Sequence, residues 1–426
     1  MTVLLLHDSH ASHRCSCRPW ADAKFTSWAK PRAHRYELWA LMGILVAMLS
    51  LLPSGLGAGD LWFWGVAQAM GQTAQGFGAS TPGGSGKPTY HVKNLNDSGA
   101  GSLRDAVSQG NRSIVFDVGG EIKLSKDIWV SGSFITIDGT TAPSPGITLK
   151  YGALLIHGNH GAHDVIVRGI RSREAKGCDT CANTGAGIGI GTSAYNVLID
   201  RVSVAKAQDQ ALGMGKGAHD VTIQWSIFAE SKSSSGTNLP VLISTNTKRV
   251  SMHHNLFIKG YERLPQVKYS DSGAQASDTQ IDLRNNVMWD WGYAATQIWK
   301  GTRANVVANF YHDPGASDSA QKRAIYFCHA GSQSPNCQTS DSKLYAKAYI
   351  KDNISGHGAV ISNYLNSLGT NSSPFPATSV STTDACTAAG QVRSKAGMRP
   401  LDSLDTSYIN AVTLGSCSTS LSVAIE

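Results

Sequence analysis

Arg263 and Lys268 are the two cations of the phrase Glu262-Arg263-Leu264-Pro265-Gln266-Val267-Lys268, and they are the first side chains to consider for chemistry. An arginine normally stays protonated, so a proton-accepting role needs surroundings that favour its neutral form. The plain alternative is an ion pair with a nearby carboxylate. His253-His254 would suit a metal only if both rings reached one face. Adjacent strand residues point to opposite faces, so the pair reads as one core and one surface histidine. Among eight cysteines, Cys15 and Cys17 lie near the N-terminus, and six form local pairs: Cys178 with Cys181, Cys328 with Cys337, and Cys386 with Cys417. No second CxxC or neighbouring His pair completes a zinc site. The even count in an exported chain reads as disulfides. Trp289, Trp291 and Trp299 either stack on a ligand's rings or pack into the protein.

Repeated phrases must position these residues. RVSMHHNLF, QIDLRNNVM and NVVANFY each alternate apolar and polar residues around an asparagine: Asn255, Asn286 and Asn309, 31 and 23 residues apart. Asn353 follows 44 residues on. A strand phrase recurring every 20-odd residues is the signature of a solenoid whose turns stack their strands. Ile135, Val165, Val197, Val221, Val250 and Ile281 align across the earlier strands at spacings of 30, 32, 24, 29 and 31. Such irregular spacing fits a parallel β-helix, an all-β fold in which each coil has a minimum length and loops bulge from its corners. Val165, Val167, Ile170, Val197, Ile199 and Val202 are expected to face inward, with asparagine ladders at the corners. An antiparallel sandwich would join more of these strands by two-residue turns. Ser102 is expected to cap a short helix, LRDAVSQ, that covers the first exposed rung.

Composition bounds the function. Charged residues are 16%, glycines number 44 of 426, and the net charge is +7, or +5 without residues 1–69. No long basic run interleaves with aromatics, which argues against nucleic acid. GGSGKPT fails as a phosphate loop, since its first glycine position is Thr81 and Pro88 follows the lysine. KPRAHRYE followed by LWALMGILVAMLSLL, with Ala67-Gln68-Ala69 as a small-x-small site, reads as a signal segment over residues 1–69. The chain is therefore expected to be secreted or periplasmic, with no stable membrane association once the signal is removed. Residues 70–357 are expected to form the β-helix, and 358–426 an irregular Ser/Thr/Pro-rich tail packed on it.

In order, GFGASTPGG, VKNLNDSGAGSLRDAV, IVFDVGGEI, ITIDGTTAPSPGITL, DVIVRGIRSR, NVLIDRVSV, DVTIQWSIFAES and VSMHHNLF…ERLPQV resemble the landmarks of secreted pectate lyases of polysaccharide lyase family 1, across residues 75–311. The resemblance implies a right-handed parallel β-helix, β-elimination of polygalacturonate-like acidic polysaccharide and calcium as cofactor; the chain is expected to be a monomer. Taking the C5 proton of a uronate requires neutralisation of the adjacent carboxylate and a base close to C5. The family's R-x-P-x-x-R phrase implies Arg263 as that base, with Lys268 at the second basic position. Asp209 matches one calcium-ligand position, but Gly213, Gly185 and Gly187 stand where further carboxylates are expected. Most expected ligands are thus absent, and calcium takes about six to eight oxygens. Arg201, where relatives commonly carry histidine, and Lys232, in place of a lysine expected near Leu239 and Pro240, are candidate substrate-binding cations alongside Lys268. Gly356-His357-Gly358 resembles a polygalacturonase phrase, but no spaced aspartate pair precedes it, as hydrolysis needs, and it reads as a turn. The reading from another class is a non-catalytic carbohydrate-binding β-helix that has lost the calcium site.

Overall fold

The strand phrases stack into three parallel sheets of ten described strands each. The computed structural model describes residues 73–175, 185–231, 238–269, 276–315, 323–327, 345–356, 360–362, 370–415, 417, 419–420 and 422–424. One coil shows the path: Tyr195–Asp200 lies in sheet A, Ser203–Ala205 in sheet B and Leu212–Met214 in sheet C, before His219–Gln224 returns to sheet A. Neighbouring strands pair in parallel, apart from Ile354–Ser355 with Thr419–Ser420, which run antiparallel. The fold is a right-handed parallel β-helix. No helix among the described residues is long and apolar enough to cross a membrane.

The aligned aliphatics form the register itself. Ile135 pairs with Val165, then Val197, Val221, Val250 and Ile281 follow rung by rung, all fully buried. Val167, Ile170, Ile199 and Val202 also face the core. Where sheet A turns into sheet B, the asparagine ladder runs as the sequence implies. Asn255 Nδ2 donates to Asn286 Oδ1, Asn286 Nδ2 to Asn309 Oδ1, and Asn309 Nδ2 to Asn353 Oδ1, at 2.9–3.0 Å. Each Oδ1 also accepts the backbone N–H of the preceding ladder residue, so the corner's polar groups are satisfied without water.

Helix α1 (Leu103–Ala106) caps the first rung, with the Ser102 hydroxyl accepting from Asp105 N–H at 3.2 Å. It is shorter than LRDAVSQ. Arg112 Nη1 donates to the carbonyls of Asp105 and Ala106, taking up helix-end acceptors that would otherwise be orphaned. The tail read as irregular carries two further helices, α2 (Ala385–Lys395) and α3 (Ser403–Ala411), N-capped by Asp384 and Asp402. They roof sheet B over Ile227, Leu256, Val287 and Trp289. Arg171 and Arg173, nearly fully buried, pair with Asp405 and Asp402 to anchor α3. Sheet A is covered by the segments around Gly78 and Phe375. Gly78 N–H donates to Thr222 Oγ1, and Phe375 N–H to Asn305 Oδ1.

The roof explains a departure from the expected histidines. Both are buried, not one core and one surface. His254 takes a left-handed φ of 55°, which breaks the alternation, and its ring stacks on Trp225 at 4.2 Å. Burial, helped by the charge of Lys395 and opposed by a bond from Gln391, leaves His254 at about 4. His253 is pushed to about 3, again chiefly by burial. Both rings are therefore neutral at neutral pH. The three tryptophans also pack inside: Trp289 under the helical roof, Trp291 in the main core and Trp299 beside Tyr326. Cys386 and Cys417 are joined by a disulfide that ties α2 to the chain beyond α3. Residues 1–69, Cys178–Cys181, Cys328–Cys337 and His357 lie outside the described residues.

Candidate active site

The outer face of sheet C carries a groove of about 250 Å³, lined on its floor by Gly189, Gly191, Gly213 and Gly215. The floor follows from two short phrases. IGIG (188–191) and LGMG (212–215) place isoleucine, leucine and methionine inward and glycine outward on consecutive paired strands. On one side Leu155 and His157 lie over Gly189 and Gly191; on the other, Leu242 and Ser244 form the next rung. Asp209 stands on the corner between sheets B and C, and it lines the groove.

Arg263 occupies the corresponding corner two coils on. Its φ of 68° is left-handed, and its carbonyl accepts Val241 N–H at 3.0 Å from the preceding coil. Leu264 is fully buried and its N–H bonds to Ala295 of the following coil, so the corner is fastened on both sides. Gln266 and Lys268 point outward from sheet C because Val267 between them points into the core. Lys268 therefore shares the face of the groove.

Arg263 is unusual in its surroundings. Its Nε is buried without a hydrogen-bond partner, 3.8 Å from Glu262 Oε1. Glu262 is itself engaged, accepting from Gln297 Nε2 at 2.8 Å, and Gln297 Oε1 accepts from Gln266 at 2.7 Å. Burial pushes the guanidinium below its ordinary value, against the opposing charges of Glu262 and Asp209. Burial pushes the Asp209 carboxyl up, and Arg263 holds it back. The two side chains sit on equivalent corners two coils apart, and each feels the other's charge. A guanidinium that burial destabilises, with its neighbouring carboxylate tied to glutamine, is the setting in which arginine can accept a proton.

The other expected cations lie differently. Arg201 is on the corner between sheets A and B, its Nη1 2.6 Å from Asp200 Oδ2, and it does not share the corner of Asp209 and Arg263. The ordering of strands within a coil sends it there: it follows a sheet A strand, whereas the groove belongs to sheet C. Lys232 lies outside the described residues. Residues that sequence reasoning passed over are Glu262, Gln297, His157 and Lys216. The recurrence of outward glycine in IGIG and LGMG was a visible signal for a groove floor.

For calcium the described donors do not fit. Among the described residues, no group of three or more His, Cys, Asp or Glu is placed to hold a metal ion. Gly213 supplies no side-chain oxygen beside Asp209, although a Cβ there would meet only Gln210 Oε1, at 3.4 Å. A side chain would have room; the chain simply does not provide one. One carboxylate falls far short of the oxygen shell that calcium requires.

Coil architecture and sheet order define a right-handed parallel β-helix. The chain is homologous to proteins named probable pectate lyase C. That from Aspergillus flavus is 37% identical over 290 residues, covering 66% of this chain and 64% of the relative. That from Neosartorya fischeri is 39% identical over 245 residues, covering 56% and 53%. The match thus spans a little over half to just under two thirds of these relatives' length. No family model matches the chain. Among solved structures, a pectate lyase from Bacillus sp. N165 in complex with trigalacturonate superposes with a TM-score of 0.54 at 18% identity, covering 76% of this chain and 98% of that one. The major allergen from cedar pollen gives 0.53 at 17% identity, covering 76% and 92%. At such identities these likenesses concern the fold alone.

Proposed function

We propose that the chain is an exported, monomeric polysaccharide lyase that cleaves polygalacturonate-like acidic polysaccharide by β-elimination. The observation that carries this reading is the partly desolvated Arg263, on the corner leading into sheet C two coils from the groove residue Asp209, whose charge it feels. In the proposed step, the neutral guanidine takes the C5 proton of a uronate. The electrons of the C5–H bond form a C4–C5 double bond, the C4–O bond breaks, and water protonates the departing glycosidic oxygen. Lys268, five residues on and on the outward face of sheet C, offsets substrate carboxylate charge. The resemblance to named pectate lyases and the trigalacturonate complex of a protein with this fold support the substrate class. The Cys386–Cys417 disulfide supports an oxidising compartment outside the cytoplasm.

No step is assigned to calcium, since the described donors do not form its site. The test is ultraviolet detection of unsaturated uronate from polygalacturonate, with added calcium and with chelator. Product formation that continues in chelator is the expected result. Failure on polygalacturonate and on other polyuronates would make the groove that of a non-catalytic carbohydrate-binding protein.

A further inference from the structure

The groove has a second charged bank that the elimination step does not use. Lys216 lines it from the corner where sheet C turns back to sheet A, across the glycine floor from Asp209. Its position is fixed by its backbone. Lys216 has a left-handed φ of 50°, its carbonyl accepts Ser193 N–H at 2.8 Å, and the next residue, Gly217, donates to Thr245 O at 2.9 Å. The corner is thus tied to the coils on both sides, while the side chain is exposed.

Other lysines lie close to carboxylates. Lys206 and Lys259 both approach Glu230, at 3.8 and 3.5 Å, and Lys248 approaches Asp278 at 3.7 Å. No such carboxylate faces Lys216 among the described residues: Asp209 is the only acid lining the groove, and it lies on the opposite bank beside Arg263. The charge of Lys216 is nonetheless felt at the floor. Together with burial, the larger cause, it holds His157 down at about 4, so that ring is neutral and does not add to the positive charge.

We propose that Lys216 is a specificity-determining residue that binds the free carboxylate of a uronate unit neighbouring the one that reacts at Arg263. This rests on the reading of the groove as the polysaccharide site. The register excludes a role at the reacting unit. Arg263 lies two coils from Lys216, about 10 Å along the axis at the spacing of β-strands, and the two stand on opposite banks. A carboxylate held at that remove selects a de-esterified chain over its methyl ester, because esterification removes the charge while keeping the sugar.

The test is calorimetric binding of trigalacturonate and of its methyl ester to the wild-type chain, Lys216→Met and Lys216→Arg. An exposed charge-assisted contact of this kind is worth about a tenfold change in affinity. The expected result is that Lys216→Met binds trigalacturonate roughly tenfold more weakly, binds the ester as before, and is rescued by Lys216→Arg. In turnover, KM for polygalacturonate should rise with kcat little changed, as for an interaction equal in ground and transition states. Wild-type and Lys216→Met proteins that bind trigalacturonate equally would overturn this inference and leave the groove reading standing. A wild-type chain that binds neither ligand would overturn both.

Discussion

Replacing Asn286 by alanine removes the middle rung of the asparagine ladder, and the structure gives the size of the effect. The side chain is fully buried and makes four hydrogen bonds. Its Oδ1 accepts from the N–H and Nδ2 of Asn255, both at 3.0 Å. Its Nδ2 donates to Met252 O at 2.8 Å and to Asn309 Oδ1 at 3.0 Å. The neighbours are not equally harmed. Asn309 Oδ1 keeps the backbone N–H of residue 286, and Asn255 Nδ2 keeps Ile223 O at 2.9 Å. Asn255 N–H, however, is left buried with no acceptor. At about 1 kcal/mol net per bond, with about 1–3 kcal/mol for one orphaned buried donor, overlapping contributions give a loss of roughly 3–5 kcal/mol. Urea unfolding followed by tryptophan fluorescence measures it, with Asn371→Ala as a control, since the Asn371 side chain makes an exposed bond to Ser373 O among the described residues. The control should lie within about 0.5 kcal/mol of wild type. A loss below about 1 kcal/mol at Asn286, with an unchanged urea dependence, would refute the claim that the ladder holds this corner.

Two further outcomes concern buried titratable groups. His157, His253 and His254 sit at about 4, 3 and 4 in the folded state, depressed from 6.5. The unfolded chain binds their protons first as pH falls, so stability is fully present above about 6.5 and is lost as pH drops toward 4. Unfolding midpoints across that window check this, and His253→Asn should flatten the decline. The second concerns Arg263, whose protonated form is destabilised by burial. The neutral base becomes more populated with rising pH, so log(kcat/KM) on polygalacturonate should climb through the alkaline range. Arg263→Lys should keep partial activity and move that limb to lower pH, since a lysine gives up its proton more readily. A flat alkaline profile contradicts the assignment of Arg263 as base.

Much of the fold was legible because a parallel β-helix repeats its constraints. Each coil must put an aliphatic residue at the same inward position, so aligning Ile135 through Ile281 found the register directly. Each tight corner must satisfy its own backbone, which is why Asn255, Asn286, Asn309 and Asn353 stood out. Features set by contacts distant in sequence were not legible. His254 is buried because α2 lies over Trp225, some 130 residues further along the chain. The two tail helices are short and sit in a Ser/Thr/Pro-rich stretch, so their caps, Asp384 and Asp402, were their main local signal. Arg201 was a plausible groove cation until the order of sheets within a coil set it on another corner. Lys216 was not legible because only the stacked coils show that its corner borders the glycine floor.

The central claim is that Arg263 is the base of a lyase. The most direct measurement is the rate of unsaturated uronate formation from polygalacturonate by the wild-type chain and by Arg263→Ala, with circular dichroism confirming that both are folded. The account predicts product from the wild type and a loss of at least about a hundredfold in the variant, the usual scale for removing a general base. Wild-type and variant rates that agree within a few-fold, with both proteins folded, would contradict it.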